Sequence, residues 1–210
     1  SSRRSTCGFT REKSRYEHRS NPTQPGTIKT QFLLSRAGAG ACALEAACQD
    51  LPEGAAVRFL PADLAQSGWE TGIPPGSFDV AVAFAILHHL PGLALRQQVL
   101  GALRRLLQPQ GRLLLSNWQF LNSPRLRQRI QPWARAGFKP EQLDPDDYLL
   151  DWRSGGSGLR YVHHFTLEEL AELARQCGFG VLESFLSDGE GGRLGLYQVW
   201  EAAPAPISGR

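Results

Sequence analysis

Residues 78–89 read FDVAVAFAILHH, and this stretch decides the fold. Phe78 to Phe84 is apolar at every position but Asp79, as in a parallel strand covered by helices on both faces. It is expected at the centre of a sheet. Downstream of the Pro91-Gly92 break, Leu95, Val99, Ala102, Leu103 and Leu106 recur at helical spacing, which predicts an amphipathic helix ending before Pro109. Gln108-Pro109-Gln110-Gly111 is expected to turn the chain into a second buried strand, Arg112 to Asn117 (RLLLSN). Strand, helix and strand with short connections form a βαβ unit, hence a parallel sheet and an α/β fold.

Upstream, Ile28 to Leu34 is a candidate strand, Cys42 to Leu51 a short helix stopped by Pro52 and Gly54, and Val57 to Leu60 a β-type run ended by Pro61. Residues 119–163 hold four prolines and no sustained period, so they are expected to form an insertion or lid. Thr166 followed by Glu169 is a capping box that opens a helix, with Gly178 as its stop. Val181 to Leu186 and Leu194 to Trp200 are expected to pair as an antiparallel hairpin. The expected organisation is a disordered basic tail over 1–27, one domain over 28–203 and a frayed end over 204–210.

A chain of 210 residues with 41% hydrophobic content has room for one sizeable core. Its positive charge is concentrated at one end: residues 1–30 carry seven Arg or Lys against two Glu, and the remainder is slightly acidic. Such a tail either contacts nucleic acid or is simply solvated. The longest apolar run, Val80 to Leu90, is interrupted by His88 and His89 and is shorter than the ~20 residues of a bilayer span. No membrane partner is expected. Cys7, Cys42, Cys48 and Cys177 have neither zinc-site nor dense disulfide spacing, and no secretory signal is recognisable, so a cytoplasmic location is expected.

In an open α/β sheet, ligands lie at the carboxyl ends of the strands. Three stretches fall there. Asp63, after Val57 to Leu60, offers a carboxylate to an adenine amine with Leu64 beside the ring; an Asp at a strand end also serves commonly as a turn or cap. His88 and His89 end the central strand. Adjacent strand residues point apart and no Cys or carboxylate co-ligand accompanies them, so no metal is expected. A neutral imidazole here either donates to a substrate oxygen or is satisfied by local backbone. Asn117 and Trp118 follow RLLLSN, where the indole either stacks on a base or packs in the core.

Taken together, FDVAVAFAILHHL, LLQPQGRLLLSNW, DYLLDWR and LRYVHHFTLEELAELARQCGF resemble class I S-adenosylmethionine-dependent methyltransferases. More narrowly, they resemble the group that methylates the carboxymethyl substituent on the wobble uridine of tRNA. The likeness spans about residues 44–202. It implies a Rossmann-like sheet with a C-terminal antiparallel hairpin, S-adenosylmethionine as cofactor and tRNA as partner. It also implies that Asp63, Leu64, Ala83, Phe84, Ala85 and Ile86 line the cofactor pocket. His88, His89 and Arg160 are implied as catalytic, with Asn117, Trp118, Arg153, Tyr161 and His163 near the substrate. Eukaryotic relatives act with a small zinc-binding activator subunit.

A carboxylate acceptor is ionised at neutral pH, its reference pKa being near ~4, so alignment rather than a strong base is the protein's task. A guanidinium at Arg160 suits a two-pronged grip on that carboxylate; the competing reading pairs it with Asp147 or Asp151. Arg125, Arg127, Arg129, Arg135 and Lys139, interleaved with Trp133 and Phe138, make either a phosphate-contacting surface or a solvated face with its aromatics turned inward.

The departure lies upstream. The family's D-x-G-C-G-x-G loop is represented only by Arg36-Ala37-Gly38-Ala39-Gly40, and no second strand is recognisable between it and Val57. The amino-terminal strands are therefore expected to be degenerate or missing. Either the reading frame is defective before about residue 41, as the absence of any Met also suggests, or the chain is a degenerate member. The expectation is that the chain as written binds S-adenosylmethionine weakly or not at all, whereas the intact natural protein binds it. Rival functions are a methyltransferase for a small-molecule acid or hydroxyl, and a non-catalytic RNA-binding or partner-binding remnant of the fold.

Overall fold

A computed structural model describes residues 31–33, 57–59, 62–152 and 158–204. The tail over 1–27, the expected helix over 42–51, Gly38-Ala39-Gly40, Arg153 and residues 205–210 lie outside the described residues.

The βαβ unit is present. Strand β3 (Phe78–Phe84) leads through helix α1 (Leu93–Leu106) to β4 (Leu107–Trp118), and the two strands pair in parallel. Helix α1 turns Val99, Leu100, Ala102, Leu103 and Leu106 inward, onto a core that includes Leu113, Leu115 and Trp200. Each such side chain contributes ~1.5–3 kcal/mol by leaving water. The C-terminal hairpin, β8 (Phe179–Ser187) and β9 (Gly195–Ala202), joins this sheet in the order β3-β4-β9-β8, with β9 antiparallel to both neighbours. Helix α3 (Leu167–Gln176) packs Leu170, Leu173 and Ala174 into the same core. Its Thr166 hydroxyl accepts from the Glu169 N–H at 3.1 Å, and Gly178 ends it with φ +78°.

The two upstream runs form short strands within their expected bounds: β1 (Gln31–Leu33) and β2 (Val57–Phe59) pair in parallel. Three expectations are corrected. The Gln108 to Gly111 turn is absorbed into β4. Leu107 pairs with Phe78 and Arg112 with Val80, so the intervening residues bulge from a continuous strand, with Gln110 at φ +64°. Only one face of β3 is packed among the described residues: Ala83 is buried, whereas Val80, Val82 and Phe84 are about half exposed.

The third concerns residues 119–163, which are more regular than their sequence suggests. After the short helix α2 (Pro124–Arg127), β5 (Ile130–Gln131), β6 (Asp147–Trp152) and β7 (Gly158–His163) form an antiparallel sheet in that order. A small core of Phe120, Leu150 and Val162, with Trp118 against it, holds this sheet at the carboxyl end of β4. No helix among the described residues is long and apolar enough to cross a membrane.

Candidate active site

The carboxyl ends of β2, β3 and β4 carry the residues singled out above. Asp63 is half-buried, and its Oδ1 accepts from the Ala65 N–H at 3.0 Å, which makes it a local turn residue. Its second oxygen has no partner among the described residues. Leu64 is buried in the main core rather than standing at an open edge.

At the end of β3 the backbone changes direction sharply. Ala85 adopts φ +54°, a left-handed conformation that is costly for a side chain bearing a Cβ, and its N–H donates to the Ser116 carbonyl at 3.0 Å and hydroxyl at 3.1 Å. Ile86 then caps a single 3₁₀ turn, Leu87–His89. This turn overrides the expectation that the two histidines point apart. Their ring centroids are 4.2 Å from each other, because successive residues of a tight helical turn diverge less than those of a strand. No group of three potential metal ligands occurs among the described residues.

The two rings have different environments. His88 is buried, and its Nδ1 accepts from the Trp118 N–H at 3.2 Å, which leaves the ring proton on Nε2. Burial, reinforced by the charge of His89, pulls its pKa down to about 3, so it is a neutral imidazole at physiological pH. His89 is half-buried, with Nδ1 3.0 Å from the Tyr161 carbonyl. Trp118 lies beside His88 and Phe120 with ring centroids 6.4 and 6.1 Å away. Asn117 is 1% exposed; its amide faces the His88 imidazole, and neither amide atom makes a hydrogen bond of normal geometry among the described residues. A buried amide left unsatisfied costs ~1–3 kcal/mol.

Strand β7 brings the insertion to this edge. Arg160, opposite Leu150, is half-buried, and its guanidinium is drawn below its ordinary pKa by burial and then by the charge of Arg129. Arg129 donates to Asp151 at 2.8 Å, and Asp147 lies 2.7 Å from the His163 Nδ1; Arg160 and Asp151 each make further interactions. Tyr161 and His163 face the other way. The Tyr161 hydroxyl accepts from Arg96 at 2.6 Å and donates to Asp147 at 2.5 Å. His163 is 2% exposed, with Nδ1 2.7 Å from Asp147 and Nε2 2.8 Å from Glu169. Both ring nitrogens are thus committed to carboxylates inside the protein. The structure brings Ala85, the two histidines, Asn117, Trp118 and Arg160 toward one edge; Asp63 follows β2, which pairs with β1 in a separate sheet, and Tyr161 and His163 are engaged in a separate buried cluster.

The centre of that cluster, Arg96, does not stand out in sequence. It is 1% exposed, donates to the Leu90 carbonyl at 3.0 Å and sits 5.3 Å from the Phe165 ring centroid. The available signal is its position: Arg96, Val99 and Leu103 share one helical stripe, and a charge on an apolar stripe requires a buried counter-charge.

A family model for the methyltransferase domain matches residues 37–184. The chain belongs to the methyltransferase domain family. The match includes Gly38, Ala39 and Gly40 as well as the whole βαβ unit. A protein of Encephalitozoon cuniculi (strain GB-M1), whose name describes it as a methyltransferase, is 33% identical over 107 residues, 51% of this chain and 47% of its own. The chain therefore spans about half the length of that curated relative. Among solved structures, a SAM-dependent methyltransferase from Methanosarcina mazei aligns with a TM-score of 0.63 at 20% identity, covering 84% of this chain and 83% of that one. The 1,6-didemethyltoxoflavin-N1-methyltransferase of Burkholderia thailandensis, solved with bound 1,6-didemethyltoxoflavin and S-adenosylhomocysteine, gives 0.52 at 19% identity over 82% and 60%. At these identities the likeness is one of fold: this methyltransferase domain has a Rossmann-like α/β sheet.

Proposed function

We propose that this methyltransferase domain transfers a methyl group from S-adenosylmethionine to a carboxylate, that of a carboxymethyl-modified wobble uridine in tRNA. The observation that carries the reading is the family match over residues 37–184, which includes Asp63 and the ends of β3 and β4 with His88, Asn117 and Trp118. The narrower acceptor rests on the sequence likeness of the His-His, Trp and D-W-R segments.

The described residues fit the cofactor. Asp63 keeps one carboxylate oxygen for an exocyclic amine while Ala65 fixes the other, and the turn at Ala85 exposes backbone at the end of β3. When bound, S-adenosylmethionine supplies a methyl group already electrophilic on its sulfonium. The chain then has to orient the acceptor and exclude water. Arg160, whose surroundings already include the positive charge of Arg129, is suited to grip an anionic acceptor through two parallel hydrogen bonds. Neutral His88 holds its proton on Nε2 as a donor, and Trp118 offers a face for a pyrimidine. An acceptor that is already an anion gives up no proton, so no base is needed.

The test is incubation of the protein with S-adenosylmethionine and an anticodon stem-loop bearing 5-carboxymethyluridine, followed by mass spectrometry of the nucleosides. Formation of the methyl ester is expected. Cofactor binding without ester formation would remove the tRNA reading and leave a methyltransferase of another acceptor.

A further inference from the structure

The edge that carries the proposed acceptor site is assembled from two separate pieces of chain. His88 and His89 stand on the 3₁₀ turn after β3, and Arg160 comes from β7 of the insertion. A direct hydrogen bond joins the two pieces: the Tyr161 carbonyl, next in chain to Arg160, lies 3.0 Å from the His89 Nδ1. A carbonyl only accepts, so this contact places a proton on the His89 Nδ1, whereas the Nδ1 of His88 accepts from the Trp118 N–H. One ring meets the backbone as a donor and its neighbour as an acceptor.

Arg96 of α1 spans the same two pieces. Its Nε donates at 3.0 Å to the carbonyl of Leu90, whose own N–H closes the histidine turn on the Leu87 carbonyl at 3.0 Å. Its Nη2 donates at 2.6 Å to the Tyr161 hydroxyl. Both nitrogens belong to one rigid, planar guanidinium, so the end of the turn and the residue after Arg160 are fixed against a single body. Tyr161 is held at both ends: its carbonyl faces His89, and its hydroxyl lies between Arg96 and Asp147. Burial, and then the hydrogen bond to Asp147, push the phenol above its ordinary pKa, so it remains a hydroxyl that accepts from one and donates to the other.

A buried cation is unfavourable unless it is compensated. Asp144, Asp147 and Glu169 lie 3.8, 3.5 and 3.9 Å from the guanidinium nitrogens, and the Phe165 ring faces it. An apolar side chain of similar volume would fill this space without any of these partners, but it could not donate toward Leu90 and Tyr161 together.

We infer that Arg96 and Tyr161 are positioning residues of the acceptor site: the bridge from Leu90 through Arg96 to Tyr161 sets the separation of the histidine turn from Arg160. The inference rests on the reading of this edge as the acceptor site, but one of its two readouts does not involve methyl transfer.

The experiment compares the full chain with Arg96→Lys, Tyr161→Phe and, as a control for lost stability alone, Leu103→Ala in the core face of α1. All are measured at a temperature at which circular dichroism shows each to be folded. Lysine keeps the charge without the planar fork, and phenylalanine keeps the ring without the hydroxyl. The first readout is the proton–nitrogen spectrum of the imidazole rings in isotope-labelled protein without substrate. The His89 resonances are expected to shift in Arg96→Lys and Tyr161→Phe and to stay parental in Leu103→Ala. The second is steady-state kinetics with S-adenosylmethionine and the carboxymethyluridine stem-loop. In both bridge variants kcat is expected to fall roughly 10- to 100-fold, with KM for S-adenosylmethionine unchanged, as for a reacting group displaced by about an ångström. Leu103→Ala is expected to keep the parental kcat. The proposal is overturned if the His89 resonances stay parental in both bridge variants, or if their kcat equals that of Leu103→Ala. If the parent forms no ester while the His89 resonances still shift, the acceptor reading fails and the bridge stands. Should Arg96→Lys not fold, Tyr161→Phe carries both readouts, because it preserves the packing of the ring.

Discussion

Arg96 of α1 donates to the Tyr161 hydroxyl of β7 at 2.6 Å, and through this contact a helix of the main domain holds the sheet of the insertion. Around the pair stand Asp147 and Glu169, 3.5 and 3.9 Å from the guanidinium, with His163 between the two carboxylates. A cluster of this kind contributes little over an apolar substitute of the same shape, but removal of one member leaves the others buried without compensation. Arg96→Ala is therefore expected to lower stability by about 3–5 kcal/mol, read as a shift in the urea midpoint. An unchanged midpoint would mean that the insertion is held by its apolar contacts alone.

Acid sensitivity follows from His88. Folded, it takes a proton only near pH 3, whereas an unfolded histidine does so near 6.5. Between those values the unfolded chain binds a proton that the folded chain refuses, so this contribution is complete above about pH 6.5 and is lost as the pH falls toward 3. The slope is at most about 1.4 kcal/mol per pH unit. His164, also shifted down by burial, acts in the same direction. His88→Gln is expected to flatten the stability profile between about pH 6 and 4 relative to the parent. Denaturation at several pH values measures this, and equal slopes would rule it out.

Asn117 offers the opposite kind of substitution. Since neither buried amide atom makes a hydrogen bond of normal geometry among the described residues, Asn117→Leu is expected to raise stability by about 1 kcal/mol. The same variant is expected to lose methyl transfer if the amide is kept for an acceptor. Stability gained together with activity retained would assign the residue no role in the site.

Two further substitutions separate acceptor from cofactor. Arg160→Ala is expected to reduce kcat/KM on the order of 100-fold while calorimetric affinity for S-adenosylmethionine stays near that of the parent. Asp63→Ala is expected to weaken that affinity about tenfold, the loss of one charge-assisted hydrogen bond. Parallel effects of both changes on cofactor binding would contradict the assignment.

What sequence revealed and what it concealed divide along physical lines. FDVAVAF, the stripe of α1, the Thr166 cap and the C-terminal hairpin were legible because burial, periodicity and capping act over a few neighbouring residues. The sheet of β5, β6 and β7 was not, because LRYVHH carries Arg160, Tyr161 and His163 where a pattern reader looks for apolar alternation. Tyr161 and His163 are accommodated by Arg96, Asp147 and Glu169, residues distant in sequence that no local window includes. Likewise Pro109-Gln110-Gly111 has the chemistry of a turn, yet pairing on either side carries the strand through it as a bulge. At the site, Asp63, His88 and Trp118 could be placed from strand ends alone, whereas the burial that separates His88 from His89 became visible only with the fold.

The order β3-β4-β9-β8 has a kinetic consequence. A ribosome delivers β4 and β8 before the strand that must enter between them, and Trp200, wholly buried in the core, arrives on that late strand. Until Gly195–Ala202 emerge, the nascent chain presents two open sheet edges side by side, a form prone to pairing with other chains. The sheet of β3, β4, β8 and β9 can close only after Gly195–Ala202 have been synthesised.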